Sequence, residues 1–168
     1  MQKYMASRES TINLILDTLR KEDLVIACNG KIGRELYELR EKRGEPADDF
    51  ILIGAMGRAL GVAIGVAKNT NRKVICLLGD GNFLMGMGSL ATYMKLFPRN
   101  LYVYILNNSA HDSTGGQPTS FDDIRRYLPK TYNFRVIDVE LGSRPDLGRP
   151  KISPEEITVN FMKKCHVS

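Results

Sequence analysis

The sequence predicts an α/β fold: a doubly wound, mostly parallel sheet of five or six strands with helices on both faces. Three observations predict it. Short apolar runs at 24–28, 50–53, 74–78 and 101–106 are nearly continuous rather than strictly alternating, as strands covered on both faces are. Helical stretches separate these runs, the order expected of βαβ units. Turn-forming residues (Asn29-Gly30, Gly54, Gly79-Asp80-Gly81) stand just past the runs, at one edge of such a sheet.

Each element follows from its residues. Ile12, Ile15, Leu16 and Leu19 fall on one face of a helix over 8–20. Leu24-Val25-Ile26-Ala27-Cys28 is a buried strand, followed by a helix from about Gly33 to Arg43 that Gly44 stops. After the Phe50–Ile53 strand comes a helix through Lys68 rich in Gly57, Ala59, Gly61, Ala63, Gly65 and Ala67. Each helical glycine costs about 1 kcal/mol of propensity, so close packing on a backbone or ligand is expected there. The Val74–Leu78 strand leads to a helix with Met87, Leu90, Ala91, Met94 and Phe97 on one face, then to the Leu101–Leu106 strand. A short helix at 121–128, a strand at 134–141 and a helix opened by a Ser153–Glu156 capping box complete the chain.

Composition sets bounds. The 168 residues, taken as one domain over 1–168, suffice to bury about 70% of the surface that the unfolded chain exposes. With 43% apolar and 26% charged residues, the composition is that of a soluble globular protein. No uninterrupted apolar span of about 18 residues occurs, so no membrane helix is expected. Met1 to Met5 lead into a polar stretch without a signal-peptide core. Cys28, Cys76 and Cys165 are far apart, as reduced thiols of a cytoplasmic protein are. The net charge of +5 is scattered, with no basic block interleaved with aromatics, which argues against nucleic acid. It suits an anionic cofactor, an anionic substrate or an acidic partner chain.

The chemistry concentrates at two strand ends. Gly79-Asp80-Gly81-Asn82 closes one strand and Asn107-Asn108-Ser109-Ala110 the next, with residues 82–106 between Gly81 and Asn107. Parallel strands joined by a crossover bring both ends to one edge, so Asp80 and Asn107 or Asn108 face one crevice. A carboxylate and an amide oxygen are hard donors suited to Mg²⁺. Each tetrad alone is also an ordinary turn.

Together with Gly54-Ala55-Met56-Gly57, these tetrads resemble the pyrophosphate-binding domain of thiamine diphosphate-dependent enzymes. Asn29 to Leu36, the loop His111-Asp112-Ser113-Thr114-Gly115-Gly116-Gln117-Pro118-Thr119 and Asp146-Leu147-Gly148-Arg149-Pro150 narrow the resemblance to the phosphonopyruvate decarboxylase and sulfopyruvate decarboxylase beta-subunit family. The resemblance implies thiamine diphosphate and Mg²⁺ as cofactors. It implies Asp80, Asn108 and the Ala110 carbonyl as metal ligands, and Gly79, Gly81 and Asn82 around the diphosphate. Met56 is then an apolar prop beneath the bent cofactor, with Gly54 and Ala55 beside it and the Gly54 carbonyl accepting from the pyrimidine amino group. It also implies decarboxylation of a 2-oxo acid bearing a 3-phosphonate or 3-sulfonate. The activating glutamate of the family lies on a separate pyrimidine-binding domain. A chain of this length is therefore expected to be one subunit of a hetero-oligomer.

His111 and Asp112, directly after the metal loop, are candidates for proton handling or substrate contact; a structural loop is the other reading. Lys31, Arg34 and Arg149 are read as anion binders or as surface charge. Relative to the family, a helix–strand–helix segment is expected to be missing, which shortens the chain between about 120 and 134. A non-catalytic relative that binds cofactor or partner without turnover is the alternative function.

Overall fold

The computed structural model describes residues 5–166, so the expectation about the leader at Met1 to Tyr4 lies partly outside the described residues. The chain runs α1 (Arg8–Asp17), β1 (Leu24–Ala27), α2 (Lys31–Lys42), β2 (Phe50–Ile51), α3 (Ala59–Lys68), β3 (Val74–Gly79), α4 (Asp80–Met85) and α5 (Gly88–Leu96). It continues through β4 (Leu101–Asn107), β5 (Ala110–His111), β6 (Gln117–Pro118), α6 (Phe121–Arg125), β7 (Phe134–Asp138) and α7 (Pro154–His166).

β1, β2, β3, β4 and β7 form one parallel sheet in the order β2-β1-β3-β4-β7. The chain moves outward from β1 to β2, then returns to place β3 on the other side of β1. Right-handed crossovers in opposite directions put α2 on one face and α3 on the other. α1 packs on α2, and α3 packs on α5, as that rule requires. The strands covered on both sides carry the core: all of β1 and Val74 to Leu78 are buried. Open α/β sheets form their crevice where the strand order reverses, here beyond the carboxyl ends of β1 and β3.

Local chemistry sets the element ends. Ser7 caps α1 by accepting from the Ser10 N–H, and Ser153 and Glu156 make a reciprocal capping box at α7 (2.9 and 3.2 Å). The one helix expected after β3 is two, because the chain breaks at Gly86. A Cβ at Gly86 would lie 1.8 Å from the Gly57 carbonyl oxygen, and Gly57 itself holds φ +78°. This backbone-on-backbone contact accounts for part of the glycine-rich stretch at 57–67. Nothing in the structure explains Gly65, whose added Cβ would meet no atom within 4 Å.

The apolar face expected for this segment falls within α5 and its caps, but most of it is exposed. In α5 Tyr93 is the buried residue and Leu90 is half-buried, whereas Met87, Ala91, Met94 and Phe97 are exposed. Leu106 and Asn107 end β4 as buried residues, and a two-stranded hairpin, β5 with β6, follows where only a polar loop was expected.

On β4 and β7 the face carrying Val103, Ile105 and Phe134 is buried against Phe83 and Tyr93. The opposite face, with Tyr102, Tyr104 and Ile137, is half-buried. No helix among the described residues is long and apolar enough to cross a membrane.

Gly33→Ala checks the packing of α2. Propensity alone favours alanine in a helix by about 1 kcal/mol. The added Cβ would lie 2.6 Å from Ile51 Cγ2 and 2.8 Å from the Cys28 carbonyl oxygen. The expected outcome is a net loss of about 1–3 kcal/mol in urea unfolding, with unchanged slope.

Candidate cofactor site

β3 and β4 run in parallel register with Gly79 opposite Leu106, so the first residue after β3 and the loop after β4 emerge side by side. Asp80 takes the first position and is 2% exposed. Its carboxylate accepts the Thr119 hydroxyl at 2.5 Å and backbone N–H groups including those of Gly81 and Asn108. Burial nevertheless holds the carboxyl above its ordinary range; the hydrogen bonds offset only part of that cost.

A cleft of about 180 Å³ opens over this carboxylate, at the reversal point of the sheet. Gly79, Asp80, Gly81, Asn82, Asn108, Ala110, His111, Asp112 and Met56 all line it. Gly54, with φ +73°, lines a neighbouring hollow instead, and Ala55 packs half-buried against the core. Of the two amides, only Asn108 faces the cleft. Asn107 is buried and turned away: it donates to Asp122 (3.2 Å) and Asp138 (3.1 Å) and accepts from the Ser109 N–H (3.1 Å).

Asn108 is held by both ends of its amide. Its Nδ2 donates to Asp112 Oδ2 at 2.7 Å, and its Oδ1 accepts the Ala110 N–H at 3.2 Å, which leaves that oxygen a second lone pair. Ala110 sits opposite Pro118, between the pair in which Thr119 N–H donates to the Ser109 carbonyl (3.0 Å) and the His111–Gln117 pair. In such a non-hydrogen-bonded position its carbonyl points away from β6. Asp80, Asn108 Oδ1 and the Ala110 carbonyl therefore supply one carboxylate and two neutral oxygens at one place. Among the described residues, no group of three or more His, Cys, Asp or Glu side chains could hold a metal by itself. A cation here needs oxygen atoms from its ligand, the usual arrangement for Mg²⁺ with a phosphate.

The rest of the cleft suits that phosphate. α2 begins there with Gly30 as N-cap, no capping side chain and no acid in its first turn, and Lys31 also lines the cleft, so this helix end favours negative charge. Gly81, whose N–H is expected to face the diphosphate, lines the same cleft beside the Asp80 carboxylate.

Several contributors have no local sequence signal. Asn82 bridges three loops: its Oδ1 accepts the Gly57 N–H (3.2 Å) and its Nδ2 donates to Asn29 Oδ1 (2.7 Å). Arg8, 6% exposed, donates two bonds to Glu35 (2.8 and 2.9 Å) and one to Asp112 Oδ2 (3.0 Å). That oxygen also accepts the Gly142 N–H at 3.3 Å. Asp112 thus holds Asn108 and the loop through one carboxylate oxygen, Oδ2, while it lines the cleft. The His111 ring lies on Gly81, where an added Cβ would be 2.5 Å from Nδ1. Cys28 lines the cleft, but burial pushes its thiol up to about 12, so it is no nucleophile. All three cysteines are free.

Comparison with known proteins identifies the family. Residues 26–143 match the family model described as thiamine pyrophosphate enzyme, C-terminal TPP binding domain. The chain belongs to that family. Phosphonopyruvate decarboxylase of Streptomyces viridochromogenes is 33% identical over 183 residues, covering 92% of this chain and 45% of the relative. The beta subunits of sulfopyruvate decarboxylase from Methanocaldococcus jannaschii and Methanothermobacter thermautotrophicus are 34% and 36% identical, covering 67% and 71% of this chain and 57% and 62% of theirs. The chain thus spans about half the length of these relatives.

A buried carboxylate with a raised pKa has a definite linkage. Asp80 contributes fully to stability only below about pH 4, where it is protonated in both states, and that contribution is lost as pH rises through its raised pKa. At neutral pH the ion is a burden that a bound cation relieves. Asp80→Asn is expected to melt at or above the wild-type temperature without ligand and to lose the stabilisation by Mg²⁺ with thiamine diphosphate. Differential scanning fluorimetry with and without both ligands measures this.

Proposed function

We propose that this chain is the cofactor-binding subunit of a thiamine diphosphate- and Mg²⁺-dependent decarboxylase. Its substrate class is a 2-oxo acid bearing a 3-phosphonate or 3-sulfonate, converted to the aldehyde and carbon dioxide. The observation that carries the proposal is the meeting of Asp80, Asn108 and the Ala110 carbonyl over one cleft at the reversal point of the sheet. The names of the relatives supply the substrate class.

In this reading Asp80, Asn108 and Ala110 hold Mg²⁺, and the start of α2 with Lys31 receives the diphosphate. Met56 props the bent cofactor, and the Gly54 carbonyl, at the rim of the adjoining hollow, accepts from its pyrimidine end. Bound thiamine diphosphate supplies the carbanion that adds to the keto carbon and the electron sink that lets carbon dioxide leave. His111 is the proton-handling candidate: its ring lines the cleft and among the described residues has no hydrogen-bond partner. Asp112 acts through Asn108, as a positioning residue.

A second chain supplies the pyrimidine-binding domain. Met85, Met87, Met94, Leu96 and Phe97 are exposed on α4 and α5, and Gly61 and Gly65 are exposed on the helix packed against them. Several large apolar side chains exposed on one stretch of chain support a docking face. The beta-subunit names of two relatives support a hetero-oligomer, and the free thiols support a reducing, cytoplasmic setting.

The shortened region after Gln117 fits the same reading. Ninety-two per cent of this chain is fewer residues than the 183 over which the Streptomyces match runs, which supports a segment present in the relative and absent here. The half-open Tyr102 and Tyr104 face is where such a segment has room to pack.

The test is reconstitution. With a pyrimidine-domain partner, Mg²⁺ and thiamine diphosphate, the complex is expected to release carbon dioxide from 3-phosphonopyruvate or 3-sulfopyruvate, and neither chain alone does so. A complex that assembles with its cofactors but never turns over either acid identifies the non-catalytic alternative. His111→Ala is expected to lower kcat by about 10²–10⁴-fold if the imidazole exchanges a proton in the reaction.

A further inference from the structure

Most buried or half-buried arginines of this chain have a carboxylate partner: Arg8, Arg40, Arg43 and Arg144 all do. Arg34, which is half-buried, and Arg149, which is exposed in the tail, have none among those described. Among the described residues neither has an ion pair or a side-chain hydrogen bond, and both line one hollow of about 430 Å³ beyond the ends of β1 and β2. No acidic residue lines that hollow. It shares Asn29, Gly30 and Ser113 with the cofactor cleft, while Asp80 and Asn108 lie outside it. An anion seated here is therefore distinct from one at the metal loops.

The lack of a counter-charge is built into the packing. Glu38 stands one helical turn after Arg34 and is its natural partner. It is committed elsewhere, to the Arg144 guanidinium and to the Gly148 N–H at 2.9 Å. Burial pushes its carboxyl up, but these two contacts outweigh burial and hold it below the ordinary range. The same contacts tie the tail to α2, beside the buried Leu147, and so bring Arg149 to the hollow. One carboxylate thus leaves Arg34 unpaired and delivers a second guanidinium next to it.

We propose that Arg34 and Arg149 form the subsite for the tetrahedral oxyanion of the substrate, its phosphonate or sulfonate end. This rests on the decarboxylase reading and adds the residues that set its specificity. Guanidinium forks match the oxygen atoms of such groups, and two of them without a carboxylate favour a strongly acidic group over the methyl of pyruvate. The hollow has the volume of an ordinary small-molecule site and opens beside the cofactor cleft.

The probes are 3-phosphonopropionate and 3-sulfopropionate, which lack the keto group and do not react. Their binding to the partner-reconstituted protein with Mg²⁺ and thiamine diphosphate is measured by calorimetry, with inorganic phosphate as the control. Arg34→Gln and Arg149→Gln are each expected to weaken the preferred probe about tenfold or more, Arg34→Lys less, with cofactor stabilisation unchanged. The tighter of the two probes identifies the acid. Unchanged probe affinity in both glutamine variants overturns the subsite. So does loss of cofactor stabilisation in them, which assigns the arginines to the cofactor or the fold, and so does phosphate binding as tightly as either probe. If the wild-type complex binds no cofactor, the decarboxylase reading fails, and the arginine dependence of probe binding still decides the subsite.

Discussion

The Asp80 carboxylate sits out of water at the crest of a parallel sheet, and the loops around it are arranged to satisfy it. Removing such a group from water is costly unless donors replace the solvent. Here the donors come from three parts of the chain: the start of α4, the turn after β4 and Thr119 beyond the hairpin. That requirement folds residues 108–119 back over the strand ends, and the Thr119 N–H to Ser109 carbonyl bond closes the excursion. The donors do not cancel the cost, and the carboxyl stays above its ordinary range.

A second layer keeps the first in place. Arg8 pairs with both Glu35 and Asp112, one guanidinium against two carboxylates, and Asp112 orients the amide of Asn108. Such a buried network is demanding, because removal of one member leaves the others unpaired. Its value here is geometric: Asn108 presents its oxygen, not its NH₂, to the cleft. Asn82 does related work on the other side, joining the loops after β1, β2 and β3. The interlock of Gly57 with Gly86 allows the closest approach of two of those loops, at the expense of a continuous helix.

The same break lies next to an apolar surface. Beyond it, α5 with its caps buries Tyr93 and leaves Met87, Met94 and Phe97 exposed. Methionine-rich surfaces are adaptable contact surfaces. The polar cleft and this apolar face both draw on the segment after β3.

The class of fold, the strand positions and the two metal-loop tetrads were legible in the sequence, because they depend on local properties: unbroken apolar runs, a capping box and turn residues at strand ends. So was the convergence of Asp80 with Asn108, since one crossover between parallel strands admits little else. What sequence could not supply depends on contacts between distant residues. Arg8 looks like an ordinary helix-surface charge until α1 packs beside Asp112, 104 positions away. Asn107 and Asn108 are chemically identical, and only the twist of the chain after β4 turns one inward and the other out. Periodicity gathers Met87, Leu90, Ala91, Met94 and Phe97 on one face of α5, and only the fold decides that most of that face is left exposed. The sequence by itself determined which groups are available; the tertiary structure decided which of them are desolvated and which are paired, and burial and pairing are what turn a carboxylate, an amide or a guanidinium into a site.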